Sequence, residues 1–314
     1  MKPNNIKMDI VVPHYGDINA LADSFGTLTS SDAIHLINRI ILVENGPKSG
    51  AKEFCDDIVG VDVKYIYSET PGLSNARNLG IEQSDADFLI FFDNDLKYTE
   101  KTLYAYATAF DKYGQNFFYG GPVEPIYEEA PQPWILSYVP PSVKGFSLGN
   151  VDFTSDDAVF LGGNHSLSRE AISACIEVYQ TVYEGESATG SSGGGVGEEH
   201  RLQNRLVQLG FKSCYVANAK VHHPVPRECL THEWVCNRRF RRGLTDAGKH
   251  EMFRARIVIR NTPAWVYTKF VKNAILEKLF LAAYPRIALK YGVIRAWCQG
   301  VISARSKYEK NEKS

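Results

Sequence analysis

The run Phe88-Leu89-Ile90-Phe91-Phe92 constrains the fold more than any other stretch, because it is apolar at every position and closes on Asp93-Asn94-Asp95. A strand that is apolar on both alternating faces must be covered on both sides, which places it inside a parallel sheet with helices above and below. Ligands of such sheets collect at the carboxyl ends of the strands. Residues two apart in an extended chain point the same way. Asp93 and Asp95 are therefore expected to converge at that edge, where two carboxylates call for a hard divalent cation. Just upstream, Gly72-Leu73-Ser74-Asn75-Ala76-Arg77 reads as a glycine-entered helix beginning near Ser74, with Arg77 in its first turn. A cation there opposes the helix dipole, so an anion should offset it: a phosphate at the helix N-terminus, or Asp93 itself. An isolated Asp-x-Asp would read as a turn, since Asp and Asn favour turns.

From residue 8 to 119, short β-rich runs alternate with helical patterns, which predicts βαβ units and a largely parallel sheet. The expected strands are 9–12, 39–43, 63–67, 88–92 and 117–119. Residues 120–142, rich in proline and aromatics, read as a long ordered loop. Beyond it the text predicts helices at 168–179, 198–209 and 231–242 and a strand at 213–216. From Pro263 two basic amphipathic helices follow, broken at Pro285. The expected division is residues 1–250 and a helical extension, 251–314.

A chain of 314 residues has length for one large or two modest domains. Its net charge of −1 points to no partner, and nucleic acid is not expected, but the charge is unevenly spread. Residues 251–314 carry 13 Lys and Arg against 4 Asp and Glu, a net +9 that leaves −10 on residues 1–250. An acidic body with a basic tail suits docking on an anionic surface, so residues 263–307 are a candidate contact with anionic lipid, against packing on the catalytic domain or an oligomer contact. The six cysteines show no paired framework, and neither a signal peptide nor an apolar run of transmembrane length is evident. The expected location is cytoplasmic, peripheral to the membrane if the tail docks.

The order of parts, GLSNARNLGI and then DADFLIFFDND, resembles the family 2 glycosyltransferases, in which an Ala-Arg-Asn-x-Gly-Ile helix precedes an apolar strand ending in Asp-x-Asp. The resemblance implies an α/β, GT-A-like fold: a Rossmann-like, mostly parallel sheet flanked by helices, here with a C-terminal helical extension. It implies an inverting transferase that moves a sugar from a nucleotide-sugar, with UDP the leading choice, to a glycan or lipid-linked glycan acceptor in cell-surface polysaccharide synthesis. Val12-Pro13-His14-Tyr15 is similar to the family's opening turn, so Pro13 and Tyr15 would meet the nucleobase and Glu44 the uracil ring. Proline ends a ladder, which exposes the next residues at the sheet edge. Asp93 would bond the ribose and Asp95 a divalent cation, Mg2+ or Mn2+, with Arg77 helping to hold the donor. Gly162-Gly163-Asn164 resembles a segment beside the donor sugar. Gly197-Glu198-Glu199 stands where the family has Gly-Glu-Asp, so Glu199, or in second place Glu198, would be the general base. Ala219-Lys220-Val221-His222-His223 resembles the strand that ends in a metal-binding or phosphate-binding histidine, and the spacing favours His223.

Other motifs are weaker. The glycine run at 185–197 lacks the ending of a P-loop and reads as an approach to the helix at Glu198. Cys229, His232 and Cys236, with one of the adjacent histidines, have spacing that admits zinc but lack two close pairs, so zinc is a minor reading. Arg238, Arg239, Arg241 and Arg242 precede Gly243. One or two suit a helix C-terminus, and the rest could face pyrophosphate or an anionic acceptor. Two other classes stay open: a sugar nucleotidyltransferase, which would release pyrophosphate, and a non-catalytic carbohydrate-binding relative.

Overall fold

The computed structural model describes residues 6–157, 159–184, 198–248 and 253–311. The glycine run at 185–197, Gly197 included, lies outside them. In chain order the elements are β1 (Met8–His14), α1 (Ile18–Thr29), β2 (Ile37–Glu44), α2 (Ala51–Asp56), β3 (Val63–Tyr67), α3 (Leu73–Glu82), β4 (Phe88–Phe92) and β5 (Lys97–Tyr98). Next come α4 (Thr102–Tyr113), β6 (Phe117–Gly120), β7 (Val123–Tyr127), α5 (Pro141–Lys144), β8 (Phe153–Ser155), β9 (Asn164–Ser168), α6 (Arg169–Tyr179) and α7 (Glu198–Gln208). The chain ends with β10 (Lys212–Tyr215), β11 (Val221–Val225), α8 (His232–Asp246), β12 (Val258–Ile259), β13 (Thr262–Pro263), α9 (Ala264–Phe280) and α10 (Pro285–Asn311). Two compact units result: Met1–Ile126 with Pro141–Pro224, and Tyr127–Pro140 with Val225–Ser314.

The first unit is built on an eight-stranded sheet in the order β3-β2-β1-β4-β9-β6-β10-β8. It is mostly parallel: β9 runs against β4 and β6, and β8 against β10. As the sequence predicts, β4 is covered on both faces. Phe88, Ile90 and Phe92 join Leu21, Phe25, Leu103 and Phe110 from α1 and α4, with Phe88 stacked on Phe110 at 4.1 Å between centroids. Leu89 and Phe91 join Ile172, Leu202 and Leu206 from α6 and α7. Each such side chain withdrawn from water contributes about 1.5–3 kcal/mol. On β1 the strand outruns its expected end: pairing with β4 stops at Val11, but pairing with β2 continues to His14. The Asn45 amide donates to the His14 carbonyl, so the edge of Pro13 that lacks an N–H faces the β4 side, where the ladder has already stopped.

Among the strands inside the eight-stranded sheet, the one the sequence did not predict is β9. Asn164-His165-Ser166-Leu167-Ser168 has one aliphatic residue, yet every position is buried, because the strand fills the gap between β4 and β6. Its backbone completes both ladders, and Asn164, His165 and Ser168 find side-chain partners within the core, while Ser166 Oγ has none among the described residues. The proline-rich stretch expected as a loop also contains β7, which joins β5 and β11 in a three-stranded sheet.

The second unit gathers α8, α9 and α10 with the β12–β13 hairpin. Residue 250, the expected boundary, falls between α8 and α9. Gly243 does not terminate α8, which runs on to Asp246. A Cβ at Gly243 would meet the Trp297 carbonyl at 2.2 Å, and one at Gly300 the Phe240 carbonyl at 2.1 Å, so the two glycines let α8 and α10 touch backbone to backbone. Phe253, Trp265 and Trp297 stack nearly parallel above Val266, Cys298 and Val301. No helix of the described residues is long and apolar enough to cross a membrane, and all six cysteines are free thiols.

Candidate active site

At the carboxyl edge of β4 the chain turns at once through Asp93-Asn94-Asp95, directly after Phe92. The three side chains go to three places. Asp93 lies 3.5 Å from the Arg77 guanidinium. Asp95 lies 3.6 Å from His223 Nε2. Asn94 donates to His14 Nδ1 at the end of β1, 2.8 Å away. An acceptor Nδ1 fixes the other tautomer, so Nε2–H of His14 donates to Ser49 Oγ and that hydroxyl in turn donates to Glu44.

Arg77 is the hub of the site. It is fully buried on α3, one turn in from Gly72, whose φ of 137° is the left-handed entry that the sequence's glycine anticipates. Its Nη1 donates to Glu198 Oε1 at 2.8 Å and its Nη2 to the Gly162 carbonyl at 2.9 Å, with Glu199 3.8 Å off. The anion that offsets the helix dipole is therefore a set of carboxylates from β4 and α7. At 1% side-chain exposure Arg77 spends its hydrogen bonds on these neighbours, and Asp93 is among the anions the sequence offered for it. Neighbours on the same helix share the work. Ser74 Oγ donates to Glu198, and Asn78 bonds the backbone of Tyr183 in both directions. Gly80 packs against Val11, where a Cβ would stand 2.4 Å from a methyl.

Gly162 and Gly163 place the acids. A Cβ on Gly162 would lie 2.1 Å from Glu199 Oε1, and one on Gly163 2.4 Å from Asp93 Oδ2. Only glycine leaves room for both carboxylates. The Gly162 carbonyl is pinned twice, by Arg77 and by His165 Nδ1 at 2.8 Å, and His165 Nε2 accepts from the Tyr183 hydroxyl at 2.5 Å. Burial, then the Arg77 charge, holds His165 well below the ordinary imidazole pKa, which keeps it neutral with Nδ1 as the donor.

The two acids at the start of α7 differ. Glu198 is 7% exposed and locked between Ser74 and Arg77; burial raises its pKa against those two partners. Glu199 keeps 26% of its side chain exposed. The surroundings of Asp93 push its pKa up to about 6, burial foremost, with Arg77 opposing and Asp95 and Glu199 adding repulsion. That side chain is nonetheless 42% exposed, so solvent tempers the first of these causes. Burial lowers the His223 pKa, but Asp95, with Asp93 behind it, outweighs this and leaves it raised. The neighbouring His222 faces Glu124 instead, as alternation along β11 requires.

Of the expected donor contacts, Tyr15 is 59% exposed with its ring against Gly46, and Pro13 is buried in β1. Glu44 is also buried. It accepts from the Ser49 amide and hydroxyl and from Tyr65, and these bonds hold its pKa low despite the opposing effect of burial, the largest single influence. Asn164 is fully buried too. Its amide donates to the carbonyls of Pro122 and Ala219 and accepts from Tyr106, so it ties β9 to its neighbours. Glu44 and Asn164 thus both make their hydrogen bonds to neighbouring parts of the framework. Asp93, Asp95 and His223 line one edge. Among the described residues, however, the set of metal-capable atoms drawn within 4.8 Å of one another is a different one: His232, Cys236 and Glu277. Asp95 and His223 could still hold Mg2+ or Mn2+ as partial ligands, the remaining positions going to water or ligand oxygens. The sequence also passed over His14, Ser74, Asn94, His165 and Tyr183. Asn94 and His165 adjoin assigned residues, whereas nothing local marks Tyr183.

A sequence profile described as glycosyl transferase family 2 matches residues 9–175. The succinoglycan biosynthesis protein ExoM of Rhizobium meliloti is 25% identical over 228 residues, covering 66% of this chain and 63% of ExoM. The glycosyltransferase GlyA of Streptococcus pneumoniae is 28% identical over 91 residues, 28% of this chain and 13% of GlyA. The chain thus spans less than two-thirds of either curated relative it matches. Among solved structures, GalNAc-T7 with UDP, GalNAc and Mn2+ superposes with a TM-score of 0.56 at 15% identity, over 79% of this chain and 51% of that one. Staphylococcus aureus TarS 1-349 gives 0.51 at 12% identity over 98% and 92%. At those identities the likeness is one of fold, and it is the GT-A fold. With the profile match extending over more than half of its length, the chain belongs to glycosyl transferase family 2.

Proposed function

We propose that this protein is an inverting, metal-dependent glycosyltransferase that moves a sugar from a UDP-linked donor to an acceptor hydroxyl in polysaccharide or glycan biosynthesis. The observation that carries this reading is the contrast at the start of α7. Glu198 is neutralised by Arg77 and Ser74, while Glu199 stays open to solvent on the glycine pair whose other member holds Asp93. Glu199 takes the proton of the acceptor hydroxyl as its oxygen attacks the sugar C1. Attack comes from the face opposite the diphosphate, and the electron pair of the breaking C1–O bond leaves with the nucleoside diphosphate. Asp93 bonds the ribose, and the exposed ring of Tyr15 is the platform for the base. Asp95, with His223, would hold a divalent cation whose charge stabilises the leaving diphosphate. A like-folded enzyme solved with UDP and Mn2+, and a relative named for succinoglycan biosynthesis, support the choice of donor, cation and pathway class.

In this reading residues 1–250 form the catalytic domain and 251–314 a basic extension that lies on anionic membrane. Val271, Ile275 and Leu279 expose one apolar stripe along α9, with Lys272 and Lys278 beside it. Sedimentation with phosphatidylglycerol vesicles, lost with phosphatidylcholine alone and in Ile275→Glu, is the expected result. Equal binding to both lipids removes the membrane role.

A panel of nucleotide-sugars with Mg2+ or Mn2+, read by thermal shift and product analysis, tests the enzymatic reading. Asp95→Asn should abolish the cation-dependent stabilisation by UDP. Glu199→Gln should lower turnover about 10²- to 10⁴-fold with UDP binding retained. Near-normal turnover in Glu199→Gln would remove it as the base, and release of pyrophosphate would make the enzyme a nucleotidyltransferase.

A further inference from the structure

In the second unit, away from the strands that carry Asp93 and Asp95 in sequence, three helices bring together a second set of chemistry-bearing side chains. His232 and Cys236 stand four apart on α8, so they share a face one turn apart. Glu277 comes from α9. Each offers one ligand atom, and the three atoms lie within 4.8 Å of one another. Cys229, which the minor zinc reading of the sequence included, is not in the set. Its place is taken by a carboxylate more than forty residues further on, which no local motif could announce.

Two further observations mark this as a ligand site rather than an ion pair alone. His232 Nε2 is buried and, among the described residues, has no hydrogen-bond partner, although Glu277 Oε1 is 3.3 Å away. Gly292 on α10 opens the space that the three atoms face. A Cβ there would stand 2.7 Å from Glu277 Oε1, 2.9 Å from Cys236 Sγ and 2.9 Å from His232 Nε2. One point beside Gly292 is thus almost equidistant from a nitrogen, a sulfur and an oxygen donor. Arg295 clamps Glu277 through Nε and Nη2, as outer-shell partners commonly orient a metal-bound carboxylate. A cavity of about 170 Å³ lined by Cys236, Asn237, Phe240, Arg295, Ala296 and Gln299 gives solvent a route to the sulfur side.

We propose that His232, Cys236 and Glu277 bind a zinc ion, with water as the fourth ligand, clipping α8 to α9 beside Gly292 of α10. Zinc is the choice because imidazole, thiolate and carboxylate suit a borderline-soft, four-coordinate ion, whereas Mg2+ would not take the sulfur. Binding deprotonates the Cys236 thiol and releases that proton to solvent.

The full chain, purified with a chelator and titrated with Co2+ as a spectroscopic substitute for zinc, should develop a thiolate-to-cobalt charge-transfer band. The band should saturate at about one equivalent and be displaced by Zn2+. It should vanish in Cys236→Ser and persist in Cys229→Ser and Asp95→Asn, which separates this site from the proposed cation at the carboxyl edge of the sheet. Gly292→Ala leaves every ligand in the chain but places a methyl against the donor atoms, and should weaken Co2+ binding at least tenfold with helical content unchanged. No band in the wild-type chain, a band that survives Cys236→Ser, or wild-type affinity in Gly292→Ala overturns the proposal.

Discussion

Arg77 and Arg295 each face carboxylates beside a glycine that keeps space open, yet the two clusters are balanced differently. Around Arg77, four acids, Asp93, Asp95, Glu198 and Glu199, meet one guanidinium and one imidazole, that of His223. Around Arg295, one acid, Glu277, is held by the guanidinium with a histidine and a thiol alongside. Surplus negative charge is costly at a partly buried sheet edge unless a cation or hydrogen-bond donors arrive with a ligand. The first cluster is therefore arranged to meet a charged ligand, whereas the second is nearly neutral within itself and offers softer donors. Glycine serves both: Gly162 and Gly163 leave room for the Glu199 and Asp93 carboxylates, and Gly292 leaves open the space that His232, Cys236 and Glu277 face.

The largest effect that could break this comparison is the removal of either arginine. Arg77 is 1% exposed and its loss strands Glu198 without a cation, so Arg77→Leu should destabilise the first unit by about 3–5 kcal/mol. Arg295 keeps a quarter of its side chain exposed but its partner Glu277 only 11%, so Arg295→Leu, which leaves that acid with His232 alone, should cost less, about 1–3 kcal/mol. Urea denaturation followed by hydrogen exchange at β4 reports the first unit. Tryptophan fluorescence reports the second, which holds all four tryptophans. Similar losses in the two variants would mean that burial does not set the difference between the clusters.

How much of this was legible in the chain depends on how local each signal is. The apolar run of β4 announced a strand covered on both faces, and the Gly72 entry to α3 and the acids opening α7 are likewise contiguous patterns. The partners were not legible. Arg77 and Glu198 are 121 residues apart, and nothing near either names the other. β9 escaped because a strand flanked on both sides within a sheet needs no apolar periodicity when most of its polar side chains, here Asn164, His165 and Ser168, are hydrogen-bonded inside the core. The internal partners of Glu44 and Asn164, Tyr65 and Tyr106 among them, were not legible either, because sequence position fixes where a side chain starts and not what it reaches. Gly243 looked like a helix stop, and only the neighbouring Gly300 backbone explains it.

A smaller effect sharpens the contrast through acid. Burial holds His165 and His14 below the ordinary value of 6.5, with Arg77 adding to the first and Glu44 and Asp17 partly opposing the second. A histidine neutral in the folded chain and free to protonate in the unfolded one contributes its full stability above the unfolded pKa. That stability is lost as pH falls below it, by about 1.4 kcal/mol per pH unit for each histidine that stays neutral on folding. Below about pH 6.5 these two histidines therefore pull the stability of the first unit, followed at β4, downwards, against Asp93, Glu198 and His223, whose raised pKa values act in the opposite direction as pH falls. His165→Gln, which keeps one donor for the Gly162 carbonyl and one acceptor for Tyr183, should remove one such increment from the slope while His14 maintains the rest. A slope unchanged in His165→Gln would mean that His165 takes up its proton in the folded state. The Gly162 carbonyl would then keep its donor at His165 Nδ1, but Nε2 would donate as well, and the Tyr183 hydroxyl would have to turn and accept from it.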